Sequence, residues 1–367
     1  MNKKIILCVN TSWNIINFRA GLVRGLISSG FDVVVAAPRD EYSDMICDLG
    51  CRYVEIPMQQ NKISLLGEVK LILRLFCLLK SEKPYAYVSF TIKPNIYGSL
   101  VSMVLNIKSF VNVAGLGSLF GKDGFVSWVG INLYKVALFN SSKVFFQNDD
   151  DMSLFLNKNI VRPDICGVLP GSGVDLKRFV YLPLPNKKIF SFLFIARLLK
   201  NKGIYEYVAA ARELNKLGLE ARYMVVGSVD SSNSNSIGLD ELQAWIAEGT
   251  IEYLGKSDDV RIQLKQAHCV VLPSFYKEGT PRSLLEAGAI GRPVITTDTA
   301  GCRNTVIDGS SGFLCEPESV SDLVAKMIKM HGLPFTEVEK MGERARFHVE
   351  SNYNEELVIK MYLDALL

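Results

Sequence analysis

No stretch of this sequence approaches the roughly 20 uninterrupted apolar residues that a membrane-spanning helix needs. The nearest candidates, Leu71–Leu79 and Tyr97–Val113, are broken by Arg74 and Lys108, so the chain is expected not to cross a bilayer. Histidine is scarce: the three present, His268, His331 and His348, lie apart, and no Asp-x-Asp adjoins the phosphate-binding segments described below. No metal site and no cofactor is therefore expected. The eight cysteines form no CxxC pair, which reads as reduced thiols of a cytoplasmic protein. Cys8, Cys269 and Cys315 fall inside apolar runs, where a small buried hydrophobe is the plain reading. GLGSLFG at Gly115–Gly121 lacks the G-x-G-x-x-G spacing of a nicotinamide site. The opening MNKKIILCVN lacks a signal peptide's cleavage site and is interrupted at once by Asn10, Ser12 and Asn14, so it predicts a first strand.

What the chain does have is length and alternation. Its 367 residues are about half apolar and a fifth charged, enough for two globular domains. Strand-like runs (KKIILCVN, DVVVAAP, YAYVSF, SFVNVAG, SKVFFQN) alternate with helical segments, the pattern of a parallel α/β sheet. The alternation lapses into LPGSGVDLKRFVYLPLPNKK, read as a linker, and restarts with IFSFLFIA, ARYMVVG, IEYLG, CVVLPS, PVITTD and GFLC. Two Rossmann-like domains are predicted, 1–180 and 186–350, with 351–367 as a helix returning to the first. Ligands of such sheets bind beyond the carboxyl ends of the strands, which puts the chemistry between the two. Residues 1–185 hold 20 basic against 14 acidic residues, +6, and the remainder 21 against 24, −3. A basic first half suits an anionic surface or substrate; nucleic-acid binding has no other support.

The most informative stretch runs from Val270 to Asp298. A buried strand leads through a loop to a helix from about Pro281, where a missing N–H costs nothing. Gly279 lets a ligand approach the backbone, and the amides of Gly279, Thr280, Arg282 and Ser283 at a helix start can hold a diphosphate. Glu278 and Glu286 then straddle that ligand, one toward a sugar, the other toward a ribose. A bare pair of glutamates at this spacing reads more readily as solvated surface charge; the strand, Gly and Pro around it turn the balance toward a site. Arg197, Lys200, Lys202 and Gly203 follow the strand IFSFLFIA, where cations stabilise a leaving diphosphate. Gly227 and Gly255, ending two further strands, are candidate walls for a nucleotide.

EGTPRSLLEAGAIGRPVI resembles the E-x7-E segment of the family 4 retaining glycosyltransferases, which have the two-domain GT-B fold. ARLLKNKG, GSGVDLKRF, YLGKSDDV and CVVLPSFYKEG match the family through the whole second half. NFRAGLVRGLISSGFDVVVAAPRDEY, SFTIKPNIYG and VNVAGLGSLF look more loosely like bacterial members that extend undecaprenyl-diphosphate-linked sugars. The resemblance implies that Arg197 and Lys202 hold the donor diphosphate, Glu278 the donor sugar and Glu286 the ribose of a nucleotide sugar, with UDP as the nucleotide. It also implies metal-independent transfer with retention. The chain departs from the family in lacking a first-domain histidine, whose role would pass to Gly115, Gly117 or Lys93, and in carrying Asn14, Asn17 and Arg19 where relatives have a Gly-Gly turn. Arg19 and Lys93 are the candidates for the acceptor's diphosphate, and Asn17, Gly115 and Gly117 are the further acceptor candidates.

The segment Lys62–Lys83 is apolar over most of its circumference with spaced cations, as is Phe125–Phe139 with Trp128 and Lys135. Both suit a membrane interface and equally the flank of a sheet. Together with the resemblance they predict a cytoplasmic enzyme, peripheral at the inner membrane, that moves a hexose or N-acetylhexosamine to a lipid-linked saccharide acceptor. A GT-B epimerase of UDP-sugars and a non-catalytic nucleotide-sugar-binding module are the alternatives.

Overall fold

The computed structural model describes residues 3–59, 64–116, 124–186, 189–230, 233–276 and 278–367. They divide into two units, one of residues 1–173 with 355–367, the other of residues 174–354.

The first unit is built on strands of Val, Ile, Ala and Phe with no polar alternation, which suits a sheet covered on both faces. These are β1 (Lys4–Cys8), β2 (Asp32–Ala37), β3 (Arg52–Glu55), β4 (Ala86–Phe90), β5 (Lys108–Val113), β6 (Lys143–Phe146) and β7 (Cys166–Val168). They pair in parallel in the order β3-β2-β1-β4-β5-β6-β7. The edge strands β3 and β7 escape the sequence pattern: Arg52 and Glu55 are exposed, and β7 is three half-buried residues. The helices are α1 (Ser12–Phe18), α2 (Ala20–Ser28), α3 (Leu65–Glu82), a π-helical turn at Pro94–Gly98, α4 (Ser99–Val104), α5 (Phe125–Leu138) and α6 (Asp149–Asn157). The acidic run Asp149–Asp151 lies in the first turn of α6, where negative charge meets the positive end of the helix dipole.

The second unit holds β8 (Phe190–Ile195), β9 (Ala221–Val226), β10 (Glu252–Tyr253), β11 (Cys269–Leu272), β12 (Val294–Thr297) and β13 (Gly312–Cys315), parallel in the order β10-β9-β8-β11-β12-β13. All six are the strands anticipated from the sequence. Its helices are α7 (Ile204–Lys216), α8 (Leu239–Ala247), α9 (Arg261–Leu264), α10 (Arg282–Ile290), α11 (Val320–His331) and α12 (Phe335–Asn352). The second half of the linker is part of this unit. Arg292, fully buried, donates to the carbonyls of Leu182 (2.7 Å), Pro183 (3.1 Å) and Leu264 (2.9 Å).

After Asn354 the chain returns to the first unit as α13 (Glu355–Leu366). Val358, Tyr362 and Leu366 join the core formed by α2 and the first sheet. Gly21 and Gly25 permit the approach: a methyl on Gly25 would come 2.5 Å from Ile359. Tyr362 also receives a 2.9 Å hydrogen bond from Asn112 on β5. In each sheet the order reverses at one place, between β1 and β4 and between β8 and β11, and there the loops beyond the strand ends diverge to open a crevice.

Candidate active site

Two loops meet at the β8/β11 reversal. The loop after β8 carries Arg197 and closes in a 3-10 turn, Lys200–Lys202; the loop after β11 carries Ser274 and Glu278. Backbone hydrogen bonds stitch them together, Phe275 and Tyr276 donating to the Asn201 carbonyl at 3.2 and 3.1 Å. Gly203 has φ of 78°, and a Cβ there would come 2.1 Å from the Pro273 carbonyl, so only glycine allows this contact. The Lys202 ammonium contacts the Glu278 carboxylate, and the Ser274 hydroxyl donates to the same oxygen at 2.9 Å. Glu278 is buried, and the Lys202 ammonium also lies 5.5 Å from the centre of the Tyr276 ring.

A third loop supports this pair from beneath. The Thr297 hydroxyl at the end of β12 donates to the Ser274 carbonyl. Gly301 packs against the Glu278–Gly279 backbone, where a Cβ would stand 1.9 Å from the Gly279 carbonyl. Ser274, Thr297 and Gly301 escaped the sequence reading. Only Ser274 carried a signal, a hydroxyl four residues before a glutamate at the end of a buried strand.

Pro281 is not in the first helical turn as expected; it caps α10 with an extended ψ of 116°, and the helix begins at Arg282. The ring holds φ near its helical value in either case, so sequence could not separate the two. The first amides of a helix have no partner within it, which makes the Thr280–Ser283 backbone chemically fit for an anion. Glu286, one turn into α10, takes Arg282 as an i,i+4 partner at 3.1 Å, both side chains being largely buried. Burial pushes the Glu286 carboxyl above its ordinary range, with Arg282 and Arg178 drawing it partly back. Asp259 also faces Glu286 and is bonded to Arg261 at 2.7 Å, which in turn reaches the Arg178 carbonyl. Arg178 and Asp259 stand inside GSGVDLKRF and GKSDDV but had not been singled out.

Gly227 and Gly255 come together, the amide of the first donating to the carbonyl of the second at 3.1 Å. A Cβ on Gly227 would collide with the Ala196 carbonyl at 1.9 Å, so this wall adjoins Arg197, which is exposed and acts on Tyr276. Cations, helix amides and two carboxylates thus surround one strand edge. That arrangement can bind a diphosphate and present carboxylate acceptors to hydroxyls on either side of it.

The first-unit candidates are dispersed along the carboxyl edge of its sheet. Arg19 is buried, its guanidinium 4.6 Å from the centre of the Phe90 ring at the β1/β4 reversal. Asn17 turns its amide to the Trp13 carbonyl of its own helix. Lys93 is held by Glu68 at 2.6 Å. Gly115, φ 99°, follows β5, and Gly117 lies outside the described residues. Among the described residues no three His, Cys, Asp or Glu side chains converge as metal ligands.

Residues 179–348 match the family model described as glycosyl transferases group 1, and residues 4–148 that described as glycosyl transferase 4-like. The chain belongs to the glycosyltransferases. One relative of this glycosyltransferase is the N,N'-diacetylbacillosaminyl-diphospho-undecaprenol alpha-1,3-N-acetylgalactosaminyltransferase of Campylobacter jejuni, 28% identical over 86% of this chain and 85% of that one. Another is the UDP-Gal:alpha-D-GlcNAc-diphosphoundecaprenol alpha-1,3-galactosyltransferase of Escherichia coli, 26% identical over 75% of this chain and 73% of that one. Among solved structures, Anabaena HepE in complex with UDP and glucose aligns with a TM-score of 0.82 at 16% identity, covering 100% of this chain and 99% of that one. The fold is GT-B.

Proposed function

We propose that this glycosyltransferase moves a hexose or N-acetylhexosamine, with retention, from a UDP-sugar to an undecaprenyl-diphosphate-linked saccharide in bacterial surface-glycan synthesis. The observation that carries the reading is the Lys202–Glu278–Ser274 cluster beside the start of α10. The substrates named for the two bacterial relatives support the choice of donor and acceptor. In this reading Arg197, Lys202 and the amides of Gly279, Thr280, Arg282 and Ser283 stabilise the charge that develops on the leaving diphosphate. Glu278 holds hydroxyls of the donor sugar. Glu286 accepts from the ribose, and Gly227 and Gly255 leave room for the nucleotide. The cationic side chains and the amides neutralise the diphosphate without a metal ion.

The first unit takes the acceptor and rests on the inner face of the membrane. Leu65, Leu66, Val69 and Leu73 of α3 are exposed on a stripe that also carries Lys70 and Arg74, the composition of a helix lying in a lipid interface. Among the described residues no helix is long and apolar enough to cross the bilayer. The test is incubation of the full chain with a panel of UDP- and GDP-sugars and undecaprenyl-diphosphate-linked saccharides. Transfer from a UDP-sugar with the anomeric configuration kept is the expected outcome. Transfer to soluble sugars only, or with inversion, overturns the reading.

A further inference from the structure

Beyond the donor loops, one group of polar side chains in the first unit has no part in the chemistry above. It lies at the end of β4, beside β1, where the strand order reverses. Glu68, in the first turn of α3, reaches Lys93 at 2.6 Å, the two side chains only 11% and 18% exposed. The second carboxylate oxygen of Glu68 is buried with no hydrogen-bond partner. Tyr97 faces the same carboxylate, and burial with that charge pushes its phenol up to about 12, so it keeps its proton. Thr91, immediately after β4, has φ of 75°, a conformation costly for a β-branched residue, and its hydroxyl is also buried without a partner.

The backbone here is shaped as deliberately as the side chains. Residues Pro94–Gly98 form a π-helical turn, an irregularity that concentrates at functional sites. It is held by the Tyr87 hydroxyl, which donates to the Pro94 carbonyl at 3.0 Å, and by Gly98, whose Cβ would stand 1.9 Å from that hydroxyl. A buried ion pair, unmatched polar atoms and a strained threonine each cost stability, and they share one strand end.

We propose that Glu68, Lys93, Tyr97 and Thr91 bind the saccharide of the acceptor, next to the sugar that receives the transferred residue. This rests on the reading of the protein as a transferase to lipid-linked saccharides. The chemistry of the cluster selects the sugar and not the diphosphate. Its charges compensate each other, so it has little pull on an anion. A sugar hydroxyl donates and accepts at once, and carboxylate, ammonium, phenol and threonine hydroxyl offer both functions within one cluster. Residues on the outer side of the same helix turn, Leu65, Leu66 and Val69, are exposed and apolar, so a lipid-borne saccharide meets this edge from the side where its lipid is accommodated.

The test uses the full chain with a UDP-sugar donor it turns over and an undecaprenyl-diphosphate-linked saccharide, with donor hydrolysis in the absence of acceptor measured in parallel. Glu68→Gln is expected to raise the acceptor KM about tenfold or more, with the donor KM and the hydrolysis rate unchanged. Inhibition by saccharide-free undecaprenyl diphosphate is expected to stay at the wild-type level. Thr91→Gly relieves the φ strain, so its melting temperature should match or exceed wild type while the acceptor KM rises about fivefold. That variant decides the matter if Glu68→Gln does not fold. An unchanged acceptor KM, or transfer and hydrolysis falling together, overturns the assignment. Weakened inhibition by undecaprenyl diphosphate alone assigns the cluster to the diphosphate and overturns it equally. A wild-type chain that transfers to no lipid-linked saccharide refutes the proposed function itself.

Discussion

The two strand reversals of this molecule are topologically alike, each holds a largely buried lysine–glutamate pair, and they differ in what surrounds it. At β8/β11 the charged groups are held by their neighbours: Lys202 meets Glu278, Ser274 holds the same oxygen, and Gly203 and Gly301 lock the loops together. At β1/β4 the structure carries buried polar atoms without partners, a left-handed threonine and an exposed apolar helix face. The first arrangement is what a charged, small ligand of fixed shape requires. The second suits a partner that supplies both hydroxyl groups and lipid, because unmatched polar atoms and uncovered apolar surface both cost free energy until something meets them.

The sharpest way to break this comparison is Glu278→Gln, which keeps the shape and removes the charge paired with Lys202. It is expected to lower kcat for transfer and for donor hydrolysis alike by about 10² to 10³, the range seen for loss of one preorganised electrostatic group. Loss of transfer alone, in a paired assay of both reactions, would move Glu278 to the acceptor side. Next in size is Arg292→Met, which leaves the buried Leu264 carbonyl without its donor and also removes the bonds to the carbonyls of Leu182 and Pro183. Denaturant unfolding should show a loss of about 3 kcal/mol, with the second unit unfolding first if the two melt separately. A smaller effect is expected from Leu65, Leu66 and Val69 changed together to Ser. Binding to vesicles containing anionic lipid should fall about tenfold or more, with hydrolysis of the donor untouched; unaltered binding would remove α3 from the membrane face.

The smallest effect concerns Glu286, whose folded-state carboxyl titrates above its ordinary range through burial. The folded protein therefore holds this proton more tightly than the unfolded chain, and stability falls as pH rises from the ordinary carboxylate value through the raised one. Melting temperatures from about pH 4 to pH 7 should show that slope in the wild type and a flatter one in Glu286→Gln. An identical slope in both would mean that the carboxyl is solvated.

Much of the candidate site after β8 and β11 was legible because its residues are consecutive. Glu278, Gly279, Pro281 and Glu286 sit on one strand–loop–helix segment, and Arg197 and Lys202 follow the neighbouring strand, so local pattern and the parallel-sheet rule place them together. Thr297 and Gly301 were missed because their roles are contacts between loops more than 20 residues apart, whereas Ser274, four residues before Glu278, carried only a hydroxyl's local spacing as a signal. In the first unit the pattern named Lys93 but not its partner, since Glu68 lies on a helix whose apolar stripe dominates its sequence. Gly227 and Gly255 were read correctly as strand ends, and the structure adds that they bond to each other.

Taken alone, the sequence determined the class of the fold, the eleven apolar strands and the charges after β8 and β11, because runs of Val, Ile and Phe between amphipathic segments admit few other structures. The tertiary structure decided the remainder. It set how α13, the returning helix expected at 351–367, packs against α2 through Gly21 and Gly25. It also joined Glu68 to Lys93 and bent Thr91 into a left-handed turn. The physical reason is the same for each: apolar periodicity reports which face of an element is buried, whereas the partner that buries it is chosen by packing between residues far apart in the chain.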